Sequence, residues 1–153
     1  VGFHAGESLR TEKAYRHWGH DMGYADTQLE SGLLFASKLD KPGGFIGSEA
    51  LQEKIEAGSN RLILQFLLDK NEKFLYHNEP VYLNGELVGS ITTGTYGHTL
   101  GAPVALGWAT LPEGVTAANL DEQKWELLVA GEMIAAKASV KPMYDPTNER
   151  LRS

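Results

Sequence analysis

The chain has no cysteine, which excludes a disulfide frame, a thiolate metal site and a thiol nucleophile. No apolar run approaches the ~20 residues that a membrane-spanning helix requires. Positive charge is scarce: 14 Lys and Arg stand against 20 Asp and Glu, and they are scattered rather than clustered. At a net charge of −6 there is no basic patch to neutralise phosphates, which argues against a nucleic-acid protein. Familiar catalytic signatures are missing too, with no GxSxG and no HExxH. Gly43-Gly44-Phe45-Ile46-Gly47 is glycine-rich, but its spacing fits neither GxGxxG nor GxxxxGK[ST]. Val1-Gly2-Phe3 opens without methionine or a signal-like segment, so the expectation is a fragment of a longer polypeptide.

What is present is ordinary globular usage. With 153 residues and 42% apolar content, the chain can bury a real core in one or two small domains. Residues 5–14 are good helix formers, and HWG at 17–19 stops the pattern. The apolar stretch 33–39 (LLFASKL) reads as an interior strand, and Pro42-Gly43-Gly44 as a turn. Ser48 is placed to cap a helix that carries Leu51 and Ile55 on one face and ends at Ala57-Gly58. From residue 61 the period changes. RLILQFLLD reads as a central strand, VYLNGELVGSITT as a hairpin turning at Asn84-Gly85, and PVALGWATL as a further strand. WELLVAGEMIAAKASV reads as a second hairpin turning near Ala130-Gly131. The expected class is α+β, mainly β: a boundary near 57–60, then a small antiparallel barrel or sandwich.

Few residues here carry chemistry. Glu12 sits where the predicted helix should end, beside Arg10, Lys13 and Arg16. It reads either as part of a solvated face or as a carboxylate that accepts a paired N–H donor edge of a heterocycle. Glu30 alone reads as a loop carboxylate, more often solvated than not. His17, His20 and Asp21 offer two imidazoles and a carboxylate, but no further cluster completes a metal site, so no metal is expected. Tyr15, Trp18 and Tyr24 are either walls for a planar ligand or core residues. Lys41 is either a turn lysine or a point charge for an anionic ligand.

The stretch from Ser8 to Gly47 resembles the folate-binding T-protein family, the aminomethyltransferases of glycine cleavage, and most closely the folate half of dimethylglycine and sarcosine dehydrogenases. SLRTEK matches the segment in which a glutamate holds the pterin, at Glu12. QLESGL stands where the family carries PLEAGL, with Gln28 and Ser31 as departures, and KLDKPGGFIG resembles the dehydrogenase pattern. The QLESGL match makes Glu30 a site-shaping residue, with Arg10 or Arg16 as its candidate partner. YDPTNERLR resembles the closing segment, although Glu149 occupies the position of an aromatic folate contact. The resemblance implies that residues 1–58 end an aminomethyltransferase folate-binding domain and 59–153 form its C-terminal barrel. It implies tetrahydrofolate as cofactor, with Glu12, Tyr15, Glu30 and Lys41 at the binding site and no catalytic residue in this segment. FAD would enter only through an upstream domain, because the chain lacks the dinucleotide fingerprint. The implied partners are a methylated amine or aminomethyl donor and upstream domains of the same polypeptide. The implied compartment is the cytoplasm, or the mitochondrial matrix in a eukaryote. A non-catalytic folate-sensing or interaction module on the same fold is the alternative, and a small-barrel carbohydrate or peptide binder a third.

Overall fold

The computed structural model describes residues 1–69 and 73–153. Helix α1 (Phe3–Glu12) and helix α2 (Ser48–Ala57) precede six strands: β1 (Arg61–Leu68), β2 (Pro80–Leu83), β3 (Glu86–Gly97), β4 (Ala102–Thr110), β5 (Trp125–Val129) and β6 (Glu132–Ser139). A short helix α3 (Glu149–Arg152) follows. The strands close into an antiparallel barrel in the order β1-β4-β3-β2-β5-β6, so no edge is left to pair with another chain.

Both predicted hairpins are present. Asn84 and Gly85 have φ of 52° and 90°, and Ala130 and Gly131 have φ of 50° and 82°. These are the left-handed pairs that a two-residue turn needs to match the strand twist. The predicted central strand β1 is paired on both sides, by β4 and β6.

Two expectations fail. Residues 33–39 form a single 3-10 turn at Leu34–Ala36 instead of a strand. The closed barrel offers no edge for LLFASKL to join, and Phe35 is left exposed. Ser48 does not cap α2: the N-cap is Gly47, at φ 87°, with no side-chain cap. Helix α1 starts and ends two residues earlier than the predicted 5–14.

Barrel strands alternate between a sealed interior and an outer face. Phe66 and Trp125 meet edge to face inside at 5.6 Å, with Leu64, Leu127 and Ile134 packed in the same cluster. The outer faces of β1 and β4 are also buried, at Ile63, Gln65, Val104 and Leu106. This explains their unbroken apolar reading, which is the signature of a strand covered on both sides. Residues 1–31 provide the cover: Ile63 N–H donates to the Glu30 carbonyl, and the Gln65 amide donates to the carbonyls of Thr11 and Glu12. Those two carbonyls belong to the unsatisfied end of α1, so Gln65 closes the helix C-terminus from the barrel wall.

Two glycine substitutions should move stability in opposite directions. At Gly89 of β3 a Cβ would run into the Trp108 carbonyl and the Ala109 backbone. Gly89→Ala should therefore cost about 2 kcal/mol or more, read as a lower urea midpoint. Gly6 lies inside α1 with open space around it. Gly6→Ala should raise the midpoint, by about 0.5–1 kcal/mol.

Candidate functional site

The site is built where the 1–31 segment lies on the barrel wall. Its fixed point is Asp21, whose carboxylate is buried. In β3 the pairing slips between Ile91 and Thr93, leaving Thr92 as an extra residue against β4. Adjacent strand residues normally point to opposite faces, and a bulge breaks that rule. Here the hydroxyls of both Thr92 and Thr93 donate to Asp21 Oδ1, each at 2.6 Å. Asp21 Oδ2 accepts from Arg10 Nη1 at 2.6 Å and from the His17 N–H at 2.8 Å. Burial alone would raise the Asp21 carboxyl, but the Thr92 and Thr93 hydroxyls, the His17 amide and the Arg10 charge together hold it below its usual range. Both Asp21 oxygens are thus engaged by donors within the protein.

Arg10 is equally committed. It donates to both Glu7 carboxylate oxygens, to the Tyr15 carbonyl, to Asp21 and to Thr93 Oγ1. It is not a partner of Glu30, and neither is Arg16, whose Nη1 donates to the Ala14 carbonyl. Glu30 instead accepts from the Thr27 N–H and hydroxyl and, at 3.4 Å, from Ser59 Oγ. The Thr27 amide and hydroxyl lower its carboxyl.

Glu12 is buried, so the solvated-face reading fails. Its Oε1 accepts the backbone N–H groups of Thr99 and Leu100 at 2.7 and 2.8 Å, which pins the β3–β4 turn to the end of α1. The chemistry left to Glu12 toward a ligand is therefore what Oε2 can accept. Glu12 and Tyr15 line one cleft of about 450 Å³ with Leu9, Arg10, Tyr144 and Arg150. The half-exposed Tyr15 ring, 51% accessible, gives it a flat wall. Glu30 and Lys41 lie outside that cleft, and Lys41 is exposed on its loop. Trp18 and Tyr24 are exposed as well, Tyr24 at 96%, so neither is a core residue.

Sequence reasoning missed the closing segment as a site wall. Lys13 Nζ donates to the Asp145 carbonyl at 2.6 Å and to Asn148 Oδ1 at 2.7 Å, and it pairs with Asp145 Oδ2 at 3.2 Å. Met143 N–H donates to Gln65 Oε1. These bonds bring Tyr144 and Arg150 against α1. The signal in the sequence is the aromatic Tyr144 that opens the YDPTNE turn.

Comparison with known proteins gives a consistent answer. Residues 61–145 match the family described as the glycine cleavage T-protein C-terminal barrel domain. The chain is 40% identical over 152 residues to 4-methylaminobutanoate oxidase (formaldehyde-forming) of Paenarthrobacter nicotinovorans, covering 99% of the chain and 18% of that protein. It is 32% identical over 154 residues to mitochondrial sarcosine dehydrogenase of Homo sapiens, covering 99% of the chain and 17% of that protein. The chain thus spans less than a fifth of the length of either relative. Among solved structures, the glycine cleavage system aminomethyltransferase T of Bartonella henselae superposes with a TM-score of 0.78 at 23% identity, over 95% of the chain and 40% of that structure. At that identity the likeness establishes the fold.

The Asp21 centre predicts a pH dependence. A carboxyl whose folded pKa is depressed contributes stability above its unfolded pKa, about 3.9, and loses it as pH falls through the lower folded value. Wild-type unfolding free energy should therefore drop below about pH 4, and Asp21→Asn should flatten that part of the profile. Asp21→Ala, which removes the common acceptor of Thr92, Thr93, the His17 amide and one arm of Arg10, should cost about 3–5 kcal/mol in urea unfolding at pH 7.

Proposed function

Because the chain belongs to the glycine cleavage T-protein family through its C-terminal barrel domain, we propose that it supplies one wall of a tetrahydrofolate site. The parent would be a one-carbon transfer enzyme acting on methylated amines or aminomethyl groups. The observation that carries this reading is the cleft shared by Glu12 and Tyr15. A buried carboxylate with one oxygen fixed by the Thr99 and Leu100 amides is held rigidly, so Oε2 presents a preorganised acceptor to a donor N–H of a pterin. Tyr15 supplies the stacking face, Glu30 holds the 27–30 loop against β1, and Lys41 adds positive charge on the approach.

In this reading residues 1–58 close a folate-binding domain and 59–153 form the barrel that backs it. Other large side chains left exposed on the first part, among them Phe3, Trp18 and Ile46, form the kind of surface that a neighbouring domain covers. That neighbour would be an upstream part of the same polypeptide, carrying any FAD and the acid–base group for transfer. The names of the relatives, a formaldehyde-forming oxidase and a mitochondrial sarcosine dehydrogenase, support amine oxidation coupled to one-carbon chemistry; the compartment in this proposal is the cytoplasm or, for a eukaryotic parent, the mitochondrial matrix. No helix among the described residues is long and apolar enough to cross a membrane.

Calorimetry on the full-length protein tests the reading. Glu12→Gln should weaken tetrahydrofolate binding by roughly 1.5–3 kcal/mol, the worth of a charge-assisted hydrogen bond. Tyr15→Ala should weaken it by about 1 kcal/mol through loss of ring contact, with the fold unchanged. Unchanged affinity in both variants would overturn the site. The 153-residue chain assayed alone with tetrahydrofolate and sarcosine should form no 5,10-methylenetetrahydrofolate, since a pocket missing one wall loses its preorganisation.

A further inference from the structure

A second cleft of about 450 Å³ lies on the other side of Tyr15. Its walls come from residues 13–16, from 32–35 and from the chain that leaves β6. Three cations line it, Lys13, Arg16 and Lys141, and no carboxylate does. On a chain of net charge −6 that is the reverse of the average surface. Lys13 is already neutralised by Asp145. Lys141 is exposed.

Among the described residues, Arg16 is a partly buried arginine with no carboxylate partner. Its Nε is buried with no hydrogen-bond partner. Its Nη1 reaches only the Ala14 carbonyl, at 2.6 Å. Its Nη2 makes no hydrogen bond within the described residues and lies beside Gly32, where a side chain would crowd it at 3.1 Å. Burial lowers the Arg16 pKa, and only the more distant Asp21 charge opposes that. A guanidinium held partly out of water without an anion is costly, and a bound anion removes the cost. By contrast, Arg10 and Arg61 both have carboxylate partners, Asp21 and Asp26.

The remaining walls are not those of a simple ion site. Phe35 stands 87% exposed at the rim, with the Tyr15 ring and Leu33 beside it. We propose that this cleft binds a carboxylate carried on a planar apolar body. The carboxylate would be forked end-on by Nη1 and Nη2 of Arg16 and steadied by Lys141, while the body lies against Phe35 and Tyr15. The two-pronged planar edge of a carboxylate suits the guanidinium, and the ring faces suit a flat hydrocarbon. This inference is independent of the ligand proposed for the Glu12 cleft.

Calorimetric titration of the full-length protein with benzoate, acetate and inorganic phosphate tests it. Benzoate should bind saturably, several-fold more tightly than either acetate or phosphate. Arg16→Gln should weaken benzoate at least tenfold, and Arg16→Lys, which keeps the charge without the fork, by a smaller factor. Phe35→Ser alters an exposed side chain and so leaves the fold intact. It should weaken benzoate and leave acetate unchanged. Absence of saturable benzoate binding, or benzoate affinity in Arg16→Gln and Phe35→Ser equal to that of the wild type, would overturn the proposal. Phosphate binding as tightly as benzoate would overturn the carboxylate assignment in favour of a phosphate site.

Discussion

The buried carboxylate of Asp21 is the interaction on which the rest of the arrangement depends. It accepts four hydrogen bonds, from two barrel hydroxyls, one loop amide and the guanidinium of α1. The donors come from three parts of the path, α1, the loop after it and β3, so one side chain fixes the helix, the loop and the barrel wall together. A buried charge of this kind is stable only when every lone pair is used. The β-bulge at Thr92 makes that possible, because it turns two consecutive side chains toward the same oxygen. Trp108 adds a parallel tie: its indole N–H donates to the Asp21 carbonyl at 2.8 Å, and Arg61 stacks on its ring at 3.7 Å while pairing with Asp26.

The barrel has two functions as a scaffold. Its interior is a conventional apolar core around Phe66 and Trp125. Its outer β1–β4 face is a second, mixed surface on which Gln65, Ile63 and Leu106 receive the N-terminal segment. Gln65 is the hinge of that surface, since its amide holds the end of α1 and its carbonyl oxygen holds Met143. Helix and closing segment are thereby brought to the same place, and the cleft between them follows from that placement. Binding residues set on a packed wall in this way are better fixed than residues on a free loop.

The two clefts on either side of Tyr15 differ in electrostatics for a traceable reason. In the Glu12 cleft the charges beside the ligand-facing oxygen are paired: Arg10 with Glu7 and Asp21, and Lys13 with Asp145. In the Arg16 cleft the guanidinium is left over, because Asp21 is saturated and Glu30 is turned away toward Thr27 and Ser59. A charge balance that closes on one side and stays open on the other leaves Tyr15 as the wall between two unlike surroundings.

What the sequence determined by itself was local and periodic. The Asn84-Gly85 and Ala130-Gly131 turns, the helix from 48 to 57 and the strand at 61–68 were legible because each rests on neighbouring residues alone. The resemblance in SLRTEK also located a segment that does line a cleft. Tertiary structure decided the rest. LLFASKL has strand composition, yet a closed barrel gave it nothing to pair with. Asp21 looked like a stray metal ligand, because the threonines that saturate it are about seventy residues away and act through a bulge. Glu12 could not be read from its charged neighbours, since its burial comes from the β3–β4 turn across the fold. Pairing between distant side chains depends on strand register and closure, and neither is written in any single stretch of the chain.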